Sequence, residues 1–280
     1  MRYRRRRPDE WRDVVVISVI LIAFGVAALF PLLWMVSTSL KPSGSIYQYP
    51  PQFIPKQPSL AAYGTLFRQP DFPNWFKNSV IVTSLTVVLN LLVSAAAGYA
   101  FAKTRFPGRQ FLFVLILATL MIPSFSVLIP LFTMIVKWSM VNTYWALVLP
   151  QVASPVGIFL LKQYTETLPD ELINAAWIDG AGTFRVFFTI IIPLVTPALA
   201  AAAIFAFLNS WNSFFWPLVA TTATRMRTLP VGLAVFQGQY RSEWALICAG
   251  SFMTLVPALA LYIALQRYFV QGIAMTGLKG

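Results

Sequence analysis

Six apolar stretches, none holding an Asp, Glu, Lys or Arg, dominate this sequence: Val14–Leu40, Asn78–Phe101, Phe111–Ile135, Tyr144–Leu161, Ile190–Leu218 and Trp244–Gln266. A helix needs roughly 20 predominantly apolar residues to cross the hydrocarbon core of a bilayer. Each stretch is about that length. Charge is as scarce as apolar mass is plentiful: of 280 residues, 58% are hydrophobic and 11% charged. Soluble domains carry roughly 25% charged residues, so this chain cannot coat itself with a water-facing surface. The expected fold class is an all-α polytopic membrane protein with six transmembrane helices.

Most stretches contain proline: Pro31, Pro123, Pro130, Pro150, Pro155, Pro193, Pro197 and Pro257. In a membrane bundle neighbouring helices and waters re-satisfy the carbonyls a proline frees, so these predict kinked spans. Small residues cluster at Ser94–Gly98 and at Ala198 and Ala200–Ala203. Such faces let helix backbones approach closely where lipid supplies no hydrophobic drive.

The basic residues orient the bundle. Arg2, Arg4, Arg5, Arg6, Arg7 and Arg12 precede the first stretch, and Lys103, Arg105 and Arg109 fill the short link between the second and third. The positive-inside rule places both in the cytoplasm. Both termini and the 162–189 loop then face inward, and the 41–77, 136–143 and 219–243 segments face outward. Residues 1–13 read as a basic cytoplasmic tail and residues 14–280 as a single transmembrane domain. The arginine run abuts an apolar stretch longer than a signal peptide's 7–15 residues or so. It therefore reads as a topology signal, not as a nucleic-acid site.

Several chemistries are excluded at once. The chain has no histidine and one cysteine, so it offers neither a Cys/His zinc cluster nor a Ser-His or Cys-His nucleophile pair. There is no phosphate-cradling G-x-x-x-x-G-K-[ST] loop. No nucleotide, metal or other cofactor is expected on this chain.

The segment between the fourth and fifth stretches is not a plain linker. It holds Glu166, Asp170, Glu171 and Asp179, four of the chain's nine acids. Thr167 and Pro169 read as the start of a short helix with Asp170 and Glu171 in its first turn, where the dipole favours anions. Leu172, Ala175 and Ala176 share one of its faces by their spacing. Asp179-Gly180 ends it, Gly180 being free to take the left-handed position after a helix. A second helix then leads into the fifth stretch, so the unit is a helix–turn–helix on the cytoplasmic side. On periodicity alone it is equally an amphipathic connector.

The residues themselves resemble the EAA motif of ABC importer permeases: Asn174-Ala175-Ala176, two residues, then Asp179-Gly180-Ala181, with Pro193 downstream. Asn174 departs from the family's usual Glu. Its amide still hydrogen-bonds but cannot form an ion pair, and Glu171, one turn earlier, is the nearest acid. Further likeness to the MalG-type carbohydrate branch lies in Phe207–Phe214, in Gln266–Gly272 with Gly277–Gly280, and in Trp34 through Ser39-Leu40-Lys41.

The resemblance implies a permease subunit in a prokaryotic inner membrane, paired with a second homologous permease, two ATPase subunits and an extracytoplasmic solute-binding protein. ATP and Mg would be bound by the ATPases. Glu171, Asn174, Ala175, Ala176, Asp179, Gly180 and Ala181 would couple to an ATPase, with Gly277 and Lys279 as further ATPase contacts. The solute would be a sugar, an oligosaccharide or a polyol phosphate. Asn90, Gln151, Asn209, Trp211 and Asn212 are candidates for the translocation path, because neutral amides and aromatic rings suit hydroxyl-rich solutes. The same residues can instead serve as interhelical glue. Rival classes are a permease for a non-sugar solute and an ion-coupled secondary transporter or channel. The secondary transporter usually keeps ionisable residues inside the bilayer, and none lies in these stretches.

Overall fold

The computed structural model describes residues 8–239 and 243–276. Among them every regular element is a helix: α1 (Pro8–Ser39), α2 (Ala61–Arg68), α3 (Phe72–Lys103), α4 (Arg109–Ala118), α5 (Ser124–Lys137), α6 (Tyr144–Val148), α7 (Pro155–Glu166), α8 (Asp170–Ile178), α9 (Thr183–Val186), α10 (Ile192–Leu194), α11 (Thr196–Trp211), α12 (Phe215–Ala220), α13 (Leu229–Gln239) and α14 (Trp244–Thr276). A π-helix, Phe187–Ile191, joins α9 to α10.

Three helices are each long and apolar enough to cross a membrane, over Trp11–Ser39, Phe72–Lys103 and Trp244–Ala264. Three further pairs pass the same test only jointly, and each is bent: Arg109–Met121 with Ser124–Lys137 by 102°, Tyr144–Gln151 with Pro155–Glu166 by 46°, and Thr183–Leu194 with Thr196–Trp211 by 80°. Six spans are reached only by counting each bent pair as one.

The kinks expected at the prolines divide into two kinds. Pro31, Pro130 and Pro257 sit inside unbroken helices. At Pro123 the helix ends outright. The preceding Ile122 is extended at φ −82, ψ 120, because a proline ring crowds the helical conformation of the residue before it. Ser154, before Pro155, is extended likewise and caps α7 by accepting the Gly157 N–H at 3.1 Å. The expected stretch Ile190–Leu218 is therefore not one rod. It bends at Val195, and α11 ends at Trp211.

The chain divides into two compact units, residues 1–69 with 236–253, and residues 70–235 with 254–280. In the first, the apolar window of α1 buries none of its residues, while the end of the helix closes into a polar knot. Ser37, Thr38, Ser39 and Lys41 are buried there. Ser37 Oγ donates to the Phe53 carbonyl, Ser39 Oγ and the Tyr63 hydroxyl lie 2.7 Å apart, and Lys41 Nζ sits 4.4 Å over the Trp34 ring.

The second unit is built on α3. A core of Ala95, Tyr99, Leu161, Ile173, Val186, Phe187, Ile191, Ala198 and Ala202 joins α3 to α7, α8, the π-helix and α11. Small residues make the approach possible. A Cβ placed on Gly98 would lie 2.8 Å from Leu161 Cβ and 2.9 Å from the Lys162 nitrogen, and one on Gly157 would lie 2.6 Å from Ser94 Oγ.

The N-terminal end of α3 holds the segment between α12 and α13 by its backbone. Trp75 Nε1 donates to the Thr224 carbonyl at 2.8 Å, and Asn78 Nδ2 donates to the Arg225 and Arg227 carbonyls at 2.9 and 3.0 Å. Ser79 Oγ accepts the Leu229 N–H at 2.7 Å. Asn142, left-handed at φ 62, accepts the N–H groups of Thr222 and Ala223 at 2.8 and 2.9 Å. The 219–243 stretch thus holds a 3-10 turn, Thr224–Met226, and α13, whose Leu229, Val231 and Leu233 are buried.

Candidate functional site

The helix–turn–helix lies where the sequence places it, with its boundary chemistry partly rearranged. Thr167 does not cap α8. Its hydroxyl turns back to donate to the Tyr164 carbonyl at 2.7 Å, closing α7, and the residue before α8 is Pro169, which makes no side-chain cap bond. Thr167 is excluded geometrically because Pro169 forces an extended step (φ −60, ψ 132) between it and the first helical turn. The cation for that turn comes from a distance. Lys103 Nζ, on the last residue of α3, lies 2.6 Å from the Leu168 carbonyl and 2.6 Å from Asp170 Oδ1.

The other end of α8 is as expected. Gly180 stands at φ +81. Its N–H donates to the Trp177 carbonyl at 3.0 Å, and the Ala181 N–H donates to the Ala176 carbonyl at 2.9 Å. These are the paired bonds of a Schellman cap. Ala176 and Ala181, the positions such a cap brings together, pack against the core around Tyr99 and Leu161.

The residues that spacing groups on one face of α8 are not buried alike. Ile173 is buried and Ala176 partly so, whereas Leu172 and Ala175 are exposed. Ile173 joins the core cluster that holds Tyr99, Leu161 and Phe187. The outward surface carries Glu171, Asn174, Ala175, Asp179 and Gly180, all exposed. It also carries bare apolar side chains that sequence reasoning passed over: Ile178 is 86% exposed and, on α9, Phe184 is 82% exposed. Gly277 and Lys279, the other expected ATPase contacts, lie outside the described residues.

Four of the five candidate path residues line two adjoining cavities in the second unit, of about 420 and 480 Å³. Asn90, Gln151 and Asn209 line the first, with Thr86 and Phe205. Gln151, Asn209 and Asn212 line the second, with Phe125 and Trp216. Among the described residues no charged side chain lines either. The amides are not equally free. Asn90 Nδ2 donates to the Gln151 carbonyl at 3.0 Å, Gln151 Nε2 donates to the Leu147 carbonyl at 2.8 Å, and Asn212 Nδ2 donates to the Leu208 carbonyl at 2.9 Å. Asn90 thereby ties α3 to the turn that follows α6, as interhelical glue does, whereas the Gln151 and Asn212 amides each bond a carbonyl four residues back in their own segment. Asn209 is exposed to both cavities. Thr86, missed by sequence reasoning, is 2% exposed and its hydroxyl has no partner among the described residues. Its signal in the sequence was only a position one turn before Asn90 on the same helix face.

Trp211, the fifth candidate, lies away from both cavities. It is 2% exposed, its ring stacks on Phe207 at 5.6 Å, and its Nε1 donates to the Thr254 carbonyl at 2.9 Å. A buried indole needs one acceptor, and here that acceptor is a neighbouring helix.

Comparison with known proteins fits this architecture. Residues 90–274 match the family described as "Binding-protein-dependent transport system inner membrane component". The arabinooligosaccharides transport system permease protein AraQ of Halalkalibacterium halodurans is 42% identical over 270 residues, 95% of this chain and 96% of that protein. The trehalose/maltose transport system permease protein MalG of Thermococcus litoralis is 35% identical, over 96% and 97% of the two chains. Among solved structures, a chain of a bacterial ABC transporter involved in the import of the acidic polysaccharide alginate superposes with a TM-score of 0.84 at 23% identity, covering 95% of this chain and 99% of that one.

Proposed function

The chain belongs to the family of binding-protein-dependent transport system inner membrane components, and from that premise we propose that it is one permease of an ATP-driven importer for an uncharged carbohydrate. It is a transport subunit, so ATP and Mg are handled by partner ATPases. A second, homologous permease completes the translocation path. An extracytoplasmic binding protein delivers the solute, and both termini of this chain face the cytoplasm. Gly277 and Lys279 supply further contacts to the ATPase pair.

The observation that carries the coupling role is the outward surface of α8 and α9. Ile178 and Phe184 are exposed, as are Glu171, Asn174 and Asp179, and burying such apolar side chains in a partner's groove is favourable at about 25 cal/mol per Å² of apolar surface. Ala175, on the same surface, lets a partner come close. Asn174 offers an amide where an acid would need a cation opposite, so hydrogen bonding and apolar burial, with Glu171 as the acid, make the contact.

The solute reading rests on the cavities and the relatives. Asn209, Asn212, Gln151 and Thr86 offer neutral donors and acceptors against aromatic walls, a surface suited to hydroxyls and sugar faces. The proteins AraQ and MalG, to which this chain is similar, are named for arabino-oligosaccharide and trehalose/maltose transport. The solute proposed here is of that neutral kind, without the charge of alginate.

The test is a mild-detergent pull-down of the tagged chain from native membranes. Co-recovery of an ATPase and a second polytopic protein in fixed proportion is the expected result. A chain recovered alone, even after crosslinking, would overturn the importer reading.

A further inference from the structure

We propose that Lys103 is the positioning residue through which displacement of α8 reaches the cavity, a strut between the docking helix and α3. The inference rests on α8 being the ATPase-docking helix.

Lys103 Nζ makes two short charge-assisted contacts, 2.6 Å to the Leu168 carbonyl and 2.6 Å to Asp170 Oδ1. They straddle Pro169, so one ammonium grips the chain on both sides of the step that opens α8. The helix termini favour the arrangement: a cation on the last residue of α3 and an anion on the first residue of α8 each face the dipole end that prefers them. Burial sharpens it. The Lys103 side chain is 8% exposed and that of Asp170 74%, so the ammonium is held at the protein side of the contact while the carboxylate stays at the surface.

The remaining attachments of α8 to the unit are of another kind. Ile173, Ala176 and Ala181 pack against Tyr99, Leu161 and Val186, and apolar packing holds position without fixing direction. Two charge-assisted bonds from one donor fix both. What they connect is the single helix, α3, that carries Thr86 and Asn90 to the first cavity. Asn90 lies thirteen residues from Lys103, about 20 Å along a helix rising 1.5 Å per residue. The same helix is locked to α7 by the close approach at Gly98. A push on α8 is thereby delivered to the end of a rigid pair whose far part forms a cavity wall.

The experiment uses the assembled transporter carrying a reporter cysteine, Thr86→Cys, on a Cys248→Ala background. Its labelling rate by a membrane-impermeant methanethiosulfonate is measured without nucleotide and with ATP plus vanadate. With Lys103 present, the two rates should differ by at least about fivefold, the lower range for coupling between sites. In Lys103→Met, whose side chain keeps the length and loses the donors, the ATPase should still co-purify while the two rates fall within about twofold of each other. Lys103→Arg should restore the difference. Asp170→Asn, which keeps the grip on the Leu168 carbonyl, should be intermediate and serves if Lys103→Met does not assemble.

A full rate difference in Lys103→Met would overturn the strut. Equal rates in the presence of Lys103 would overturn it too, since no displacement would then reach α3. Failure of any ATPase to co-purify with the chain carrying Lys103 would instead overturn the docking role of α8.

Discussion

Replacing Gly98 with alanine should destabilise the second unit, although alanine is the better helix former. A Cβ on Gly98 would lie 2.8 Å from Leu161 Cβ, 2.9 Å from the Lys162 nitrogen and 3.0 Å from the Leu161 carbonyl carbon. Carbon atoms in contact settle about 3.5–4.0 Å apart. Two of the three obstructing atoms are backbone, so no rotamer change relieves the clash, and α3 and α7 must part by roughly 0.7 Å to reach ordinary contact. Overpacking of this kind costs about 1–3 kcal/mol, set against a gain of about 1 kcal/mol from removing a helical glycine.

Gly25→Ala separates the two effects. Gly25 lies inside α1 with nothing within 4 Å of its would-be Cβ, so it collects the propensity gain and meets no clash. The difference between the two variants is then the clash itself. At 2–4 °C per kcal/mol for a chain of this size, Gly98→Ala should melt roughly 5 °C below Gly25→Ala when detergent-solubilised samples are heated and run by fluorescence-detected size exclusion. Melting points within 1 °C or so of each other would refute the claim that α3 and α7 touch at backbone distance.

Asn78→Leu removes both donors to the Arg225 and Arg227 carbonyls and the acceptor for the Tyr144 hydroxyl, which lies 2.8 Å away. The local penalty should be roughly 3 kcal/mol, read as faster tryptic cleavage at Arg225 and Arg227, and an unchanged rate would count against the pin. Gly180→Pro demands φ near −65° where the chain stands at +81° and deletes the N–H that closes α8 on the Trp177 carbonyl. Membrane insertion should be normal and transport-linked ATP hydrolysis lost, so full stimulation in this variant would contradict the coupling role.

What the sequence disclosed follows the range of the forces involved. The Asp179-Gly180 terminus of α8 was legible because a helix cap is decided within a few residues. So were the apolar stretches, since lipid selects on composition. Whether a proline bends a span or ends it was not. Pro130 and Pro123 look alike in the sequence, yet α5 continues through one while the helical run Arg109–Met121 stops before the other. Spacing groups Leu172, Ala175 and Ala176 on one face of α8 without saying that Ile173 is the residue buried. A nine-residue helix offers several plausible stripes, and the cluster that Ile173 joins is made by residues far along the chain, on α3, α7 and the π-helix.

The amides show the limit most plainly. Nothing local distinguishes Asn209, open to two cavities, from Asn90, spent on the Gln151 carbonyl sixty-one residues away. Lys103 was counted as a topology charge, and its second engagement with Leu168 and Asp170 spans sixty-five residues or more.

The pins between α12 and α13 bear on how such a protein changes over generations. Trp75 and Asn78 grasp the main-chain carbonyls of Thr224, Arg225 and Arg227, and Asn142 grasps the main-chain N–H groups of Thr222 and Ala223. Every residue but proline carries those N–H groups, and every residue carries those carbonyls. The side chains of Thr224 and Arg225, both exposed, can therefore be exchanged without moving the loop that displays them. Variability and placement are uncoupled here, which lets a lineage try new surfaces toward a partner while the scaffold beneath is inherited unaltered.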